Sequence, residues 1–341
     1  IDGTPIELKS PIVHHYSKPD KGELYEPFAV LPKITASINN KVNIFSDSES
    51  KEIPVQIRAG QDNISGSISL EVPKNWMVNP TKINVDIAQK GDESTVYFKV
   101  TPPNKESEGE ITPRVTVNEH VYSQELVVIN YDHIPKQSVL LPASVKVVRL
   151  NIEKKGENIG YIMGAGDDVP KSLEQIGYKV NPIDLMSVQE GTLSKYDAIV
   201  VGIRAYNVVD ALRFKQKYLL DYVKNGGNLI IQYNTSGRSG LDFPNLAPYQ
   251  LTVSRDRVTD ENSEVTILAK DHPLVHVPNK INASDFNGWV QERGLYFPNE
   301  WGTEFTPILS MQDKREPATN GSLLVAPDDT GKYIYTGLPL I

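Results

Sequence analysis

Ile159-Gly160-Tyr161-Ile162-Met163-Gly164-Ala165-Gly166-Asp167-Asp168-Val169-Pro170 is the stretch on which the reading of this chain turns. Five strand-like residues run into a glycine-containing turn. An aspartate cap and Pro170 then open a segment in which Leu173 and Ile176 fall at helical spacing, and Gly177 closes it. Tyr178-Lys179-Val180 starts a new strand, which completes one strand-helix-strand unit. The same order repeats downstream. Ala198-Ile199-Val200-Val201-Gly202 is a buried strand, and Ala211 to Lys224 carries Leu212, Leu219, Leu220 and Val223 as a helix ended by Asn225-Gly226-Gly227. Asn228-Leu229-Ile230-Ile231-Gln232-Tyr233 follows at once. Apolar strands alternating with helices predict an α/β, doubly wound parallel sheet over residues 145–341, with Val145-Lys146-Val147-Val148-Arg149-Leu150-Asn151-Ile152 as its beginning.

Upstream the period changes from helical to two. Residues 31–135 hold short alternating runs such as Ile53–Arg58, Ser67–Val72, Val96–Val100 and Glu125–Ile129, separated by turn clusters such as Gly60-Gln61-Asp62-Asn63. Such spacing predicts an antiparallel β-sandwich, which makes the chain multidomain. Trp76, in Pro73-Lys74-Asn75-Trp76, reads first as a plug of that core; a platform for stacking a sugar is the alternative. Residues 1–30, with Pro5, Pro11, Pro19 and Pro27, read as an extended lead-in. Tyr131-Asp132-His133-Ile134-Pro135 and Leu141-Pro142 mark the linker between the two domains.

At 341 residues, with 39% hydrophobic and 23% charged residues, the chain has the composition of a two-domain globular protein. A net charge of -8 argues against nucleic acid as a partner, since no basic stripe is present to displace counterions. No apolar run approaches the roughly 20 residues that a membrane helix needs. The chain opens and closes mid-phrase, and it is expected to be a piece of a longer protein. Without cysteine there is no disulfide, no thiolate metal ligand and no thiol nucleophile.

Each candidate chemistry carries a competing structural account. Gly164-x-Gly166 at a strand-to-helix turn suggests a dinucleotide, but the third glycine is missing, and Asp167 and Asp168 put negative charge where a pyrophosphate would sit. Ser236 and Ser239 lie after a strand but not in a Gly-x-Ser-x-Gly elbow, and only His272 and His276 are available downstream as bases. No catalytic residue is assigned. No metal site is expected, since His14 and His15 are adjacent on extended chain and point apart. The carboxyl ends of the strands are where a ligand belongs in such a sheet. Arg204, Tyr206, Asn207, Tyr233, Asn234, Arg255, His272, Trp289, Gln291 and Arg293 are the candidates for a crevice there. Aromatic faces beside arginine and amide groups suit a carbohydrate or another small polar ligand. The competing account has the same residues pairing to hold long loops.

Two resemblances add to this. The helix ending in Gly226-Gly227 before the strand Asn228–Tyr233 resembles the flavodoxin-like, class I glutamine amidotransferase-like domains, and among them the ThuA-like sugar-associated group. Active amidotransferases carry a cysteine after this kind of strand, where the present chain reads Gln232-Tyr233-Asn234-Thr235-Ser236-Gly237. The sandwich, with Pro73-x-x-Trp76 and a strand ending in Thr101-Pro102-Pro103, resembles immunoglobulin-like accessory domains. Gly22–Phe28, Tyr131–Gln137, Gly160–Pro170 and Gly288–Phe297 together resemble the C-terminal, non-catalytic region of long LmbE/PIG-L-type deacetylases of the Bacteroidetes. That resemblance implies a parent hydrolase whose zinc sits in an N-terminal domain with a His-Pro-Asp-Asp motif. The motif is not present here: Asp271-His272-Pro273-Leu274 lacks the carboxylates. It further implies no cofactor in this stretch, the deacetylase domain as partner, a glycan or amino sugar as ligand class, and a periplasmic or secreted location. A homodimer is also compatible with it. Three functions are left open: an accessory or carbohydrate-binding region, a ThuA-like sugar-processing enzyme, and a purely structural or dimerising module.

Overall fold

The computed structural model describes residues 10, 12–131, 133–237, 241, 243 and 245–340. The chain is mostly β, with several antiparallel sheets, and divides into two units, residues 1–151 and 152–341. Among the described residues no helix is long and apolar enough to cross a membrane.

In the first unit a hairpin of β1 (Val13–Lys18) and β2 (Gly22–Pro27) precedes β3 (Ile34–Ser37), β4 (Val42–Phe45), β5 (Lys51–Ala59) and β6 (Ile64–Glu71). β7 (Met77–Asn79), β8 (Ile83–Ile87), β9 (Glu93–Thr101), β10 (Ser107–Val117) and β11 (His120–Tyr122) follow. The unit ends with β12 (Gln124–Ile129), β13 (Gln137–Pro142) and β14 (Val145–Arg149). One sheet runs β3-β5-β9-β7; the other runs β4-β14-β10-β6-β8, with β11 also on β10. Alternation builds the core between them. On β5, Ile53, Val55, Ile57 and Ala59 are buried, while Glu52, Pro54 and Arg58 are exposed. Trp76 plugs this core: its ring meets Phe45 edge-on at 5.1 Å, and its N–H donates to Ser107 Oγ at 3.1 Å. That satisfies the one polar atom that burial would otherwise strand.

One sequence expectation needs correction. Tyr131–Pro135 and Leu141-Pro142 were expected to mark the linker, and Val145 the start of the second domain. Instead β13 pairs with β12, and β14 lies between β10 and β4, so both belong to the sandwich and the units part after Asn151. Val145, Val147 and Arg149 face inward and Lys146 outward, the alternation of a sandwich strand. The β14–β4 pairing is parallel, an exception in an otherwise antiparallel unit. Of the expected extended lead-in, residues 1–9 and 11 lie outside the described residues, and Val13–Lys18 and Gly22–Pro27 pair as a hairpin. His14 there stacks on Tyr16 and His15 on Tyr25.

The second unit is built on β15 (Asn158–Ile162), α1 (Val169–Gln175), β16 (Lys179–Pro182), β17 (Ala198–Val201), α2 (Ala205–Val208), α3 (Leu212–Lys224) and β18 (Asn228–Gln232). A long insertion follows, in which β19 (Leu251–Val258) and β20 (Thr266–Ile267) pair with β21 (Gly294–Trp301) and, beyond β22 (Thr306–Pro307), with β23 (Leu309–Ser310). β24 (Leu323–Asp328) and β25 (Gly331–Thr336) complete the main sheet, ordered β16-β15-β17-β18-β25-β24-β22. Its first five strands are parallel, and β24 and β22 are antiparallel to their neighbours. Both faces are apolar. Leu212, Leu219 and Val223 of α3 share a core with Ile199, Val201, Leu229 and Ile231. On the other face Val169 and Leu173 of α1 pack on Ile159, Tyr161 and Val200, and the insertion packs on Val325 and Ile334. Gly226, with φ +96°, ends α3 as its sequence predicts, its N–H returning to the Val223 carbonyl at 2.9 Å.

Candidate functional site

The connections after β15 and β17 leave on opposite faces of the sheet, so the carboxyl ends of these neighbours form the switch point at which such sheets hold ligands. Three short segments meet there: Gly164–Asp168 after β15, Gly202–Arg204 after β17 and Gln232–Asn234 at the end of β18. Glycine at 164 has a packing reason. A Cβ there would lie 2.0 Å from the Ile203 carbonyl, which accepts the Ala165 N–H at 2.8 Å. The glycines therefore close one turn onto the next. Asp168 sits at the N-cap of α1 but makes no capping bond, and its carboxylate pairs with Lys171 at 2.7 Å. The carboxylate that holds this turn is Asp167.

Period-two alternation puts Gln232 on the same face as Ile230, directed away from α3, and Tyr161 lies beside it. Gln232 donates to the Tyr161 hydroxyl at 2.9 Å, and Tyr161 donates to Asp167 Oδ1 at 2.6 Å. Asp167 also accepts the N–H of Val169 at 3.1 Å and, through Oδ2, that of Ile203 at 3.3 Å. Burial, reinforced by the Asp167 carboxylate, holds the Tyr161 phenol far above its ordinary pKa, so it stays protonated. Gln232 is fully buried, and its Oε1 has no partner. One strong acceptor is thus left unsatisfied at the strand end.

Tyr233 turns the other way. Its backbone carbonyl accepts the Arg204 N–H at 2.8 Å, and its ring stacks on Tyr296 at 6.4 Å and 15°. Its hydroxyl makes no hydrogen bond among the described residues. Burial raises its pKa; the nearby Arg204 guanidinium opposes this, and Glu292, Tyr296 and Asp167 reinforce it. Arg204 and Tyr296 both adopt left-handed backbone, each at φ 55°, a costly conformation for side chains of this size. Tyr296 is held there by Tyr335, whose hydroxyl donates to the Tyr296 carbonyl at 3.3 Å and accepts the Asn234 N–H at 3.3 Å.

Of the ten candidates from the sequence, Arg204, which is exposed, and Tyr233, which is buried, come together at this point, and the others do not join them. Tyr206 is buried, with its hydroxyl on Gln216 at 2.8 Å and its ring against Phe243. Asn234 is fully buried and spends its amide on the Tyr206 N–H and the Gln232 carbonyl. Asn207 is exposed and bridges to the backbone of Thr235 through both amide atoms. Arg255 is exposed on an irregular stretch of β19, where Ser254 Oγ donates to the Phe297 carbonyl. Trp289 is half-buried on Phe286 in the core of the insertion, and Gln291 donates its N–H to Glu261. Arg293 is buried, its guanidinium donating to the carbonyls of Ser263 and Phe286. His272 lies at the other end of the sheet, beside the amino ends Asn228 and Lys332. An insertion returning to the base of the sheet cannot be told in sequence from one returning to its top.

Tyr161, Asp167, Gln232, Glu292 and Tyr296 were not among the ten candidates. Gln232 carried a signal, as a polar group ending its strand. Ser236, the one serine of the strand-end pair within the described residues, donates to the Val253 carbonyl at 2.9 Å; Ser239 lies outside them. Among the described residues no three histidine or carboxylate side chains converge as a metal site would require.

No family model matches the chain, and no curated protein matches it. Solved structures with partial likeness include native E. coli alpha-2-macroglobulin, at 12% identity and a TM-score of 0.25, over 38% of this chain and 7% of that one. WR4, a C. elegans MSP family member, matches at 14% identity and a TM-score of 0.21, over 34% of this chain and 97% of its own. A family 123 glycoside hydrolase from Clostridium perfringens matches at 10% identity and a TM-score of 0.23, over 59% of this chain and 38% of its own. At such scores the likenesses carry no argument about function.

Proposed function

We propose that this chain is an accessory region of a larger enzyme, and that its second unit keeps a small polar-ligand site at the strand ends without the nucleophile. In this reading the second unit is a doubly wound, flavodoxin-like domain of the class I amidotransferase-like kind, and the first is an immunoglobulin-like sandwich. The parent would be a zinc-dependent LmbE/PIG-L-type deacetylase, whose metal is held by another domain. The four resembling stretches, among them Gly160–Pro170 and Gly288–Phe297, support that assignment.

The observation that carries the ligand reading is the Tyr233–Tyr296 stack beside Arg204. Two near-parallel rings, a phenol without a hydrogen-bond partner among the described residues and a guanidinium form a recognition point for a neutral polar ring such as an amino sugar. Hydrolysis at this point is a weaker reading. The chain contains no cysteine, and the Ser236 hydroxyl is committed to a carbonyl.

Calorimetric titration with N-acetylglucosamine and its disaccharide tests the reading. Saturable binding is expected, weakened about tenfold by Arg204→Ala, which removes about 1.4 kcal/mol. Absence of heat with both sugars, or binding unchanged in Arg204→Ala, would end it. The structural-module reading, favoured by the packed Tyr206, Asn234 and Arg293, would then remain.

A further inference from the structure

The amino ends of the same strands carry a feature that the strand-end site does not use. Parallel strands are ordinarily covered on both faces. Yet Ile230, in the middle of β18, is only half-buried, and with Val200 and Ile334 it floors a groove of about 520 Å³. Leu173 of α1 forms one wall, and Leu274 and Val277 of the insertion form the other. The floor is apolar, but its far end is not.

Lys155 and Lys332 line the groove where the strands begin, and both are exposed. Neither ammonium forms an ion pair among the described residues. His272 lines the same groove on the Lys332 side. Its Nδ1 accepts the Leu274 N–H at 3.1 Å, so the neutral ring carries its proton on Nε2. Burial, and secondarily the charge of Lys332, disfavours protonating that ring. Asp197 is the carboxylate lining this end; it accepts the N–H groups of Glu157 and Asn158, each at 2.8 Å, and its single charge is outnumbered by the two ammonium groups. The balance at the mouth is therefore positive, above an aliphatic floor.

We propose that this groove binds a medium-length aliphatic monocarboxylate, its chain across Val200, Ile230 and Ile334 and its carboxylate at Lys332, with the Nε2–H of His272 as a second donor. Charge complementarity selects this occupant over a neutral lipid. A dicarboxylate would meet only hydrocarbon at its second charge.

The test uses decanoate, below its micellar concentration, against decanol as the uncharged twin, by calorimetry on the whole chain. Decanoate should bind at one site, at least about tenfold more tightly than decanol. Lys332→Gln should weaken it about fivefold, as expected for loss of one exposed charge pair. Val277→Asp, at an exposed position that leaves the core intact, should weaken decanoate further while leaving the thermal midpoint unchanged. Equal binding of the two probes, no binding of either, or decanoate affinity unchanged in both variants would overturn the proposal.

Discussion

Tyr161, on the second strand of the parallel sheet, donates its phenol hydrogen to Asp167 Oδ1 across a distance of 2.6 Å. The bond spans the turn that ends the strand, so it ties the mouth of the sheet to the start of α1. Gln232 extends it from two strands away, and each member depends on the next.

Removing that hydroxyl should therefore cost more than one hydrogen bond. Tyr161→Phe leaves Gln232 buried with both ends of its amide unpaired, since Oε1 already lacks a partner. A loss of about 1–3 kcal/mol is expected in urea denaturation. The double variant Tyr161→Phe/Gln232→Leu should recover part of it, because leucine asks for no partner. A double variant less stable than the sum of its singles would contradict the network.

Two aspartates should give stability opposite pH dependences. Burial of Asp313 opposes its charge, but the N–H groups of Asp260 and Thr259 and the Thr259 hydroxyl outweigh this and hold its pKa low. Its contribution is present above the unfolded aspartate value of about 3.9 and is lost as pH falls through the depressed folded value. Burial raises Asp328, Asp329 adds to this, and Lys224 only partly opposes it; its Oδ2 is buried without a partner. Its favourable share is present below the unfolded value and is lost as pH rises through the raised one. Thermal melts should show Asp313→Asn less stable and Asp328→Asn more stable than the parent near about pH 7, with both differences shrinking toward about pH 3.

Arg293 is a fork that lysine cannot replace. Its Nε reaches the Ser263 carbonyl at 2.9 Å and its Nη1 the Phe286 carbonyl at 2.5 Å, in a site only 5% exposed. A single ammonium cannot serve both carbonyls in that geometry. Arg293→Lys should lower stability by about 2 kcal/mol, read as a fall of roughly 4–8 °C in the thermal midpoint for a unit of this size. A midpoint within a degree of the parent would remove Arg293 from the role given to it.

Ser236 should be inert. Its hydroxyl is spent on the Val253 carbonyl. A serine-directed fluorophosphonate should leave the chain unlabelled. Labelling that disappears in Ser236→Ala would reinstate a nucleophile.

What the sequence made legible was local. The α3 helix and the strand after it were readable because Asn225-Gly226-Gly227 is a stop signal in any context, and Trp76 was readable as a plug. The position of β14 was not read, although its signal was present: Val145-Lys146-Val147 alternates, whereas the parallel strand Ala198-Ile199-Val200-Val201 is apolar throughout. The candidate site was legible only where a side chain follows its own strand directly, as Arg204 and Tyr233 do. Tyr206, Asn234 and Arg293 have the chemistry of ligand contacts, but they spend it on neighbours brought together by the fold. His272 reaches the opposite rim because the insertion packs along β24 and β25 on that face of the sheet, a path set by tertiary contacts between residues far apart in sequence.

The position of β14 has one consequence for the growing chain. Lys146 pairs with Val42, about a hundred residues earlier, and among the described residues β4 has no other strand beside it. While the ribosome is still delivering Tyr131, the sheet of β3, β5, β9 and β7 has every strand it needs, and the opposite sheet still lacks its bridge. β4 and the first half of β10 must then wait as open edges until Arg149 clears the exit tunnel. That interval is when these edges stand open to pairing with the wrong strand.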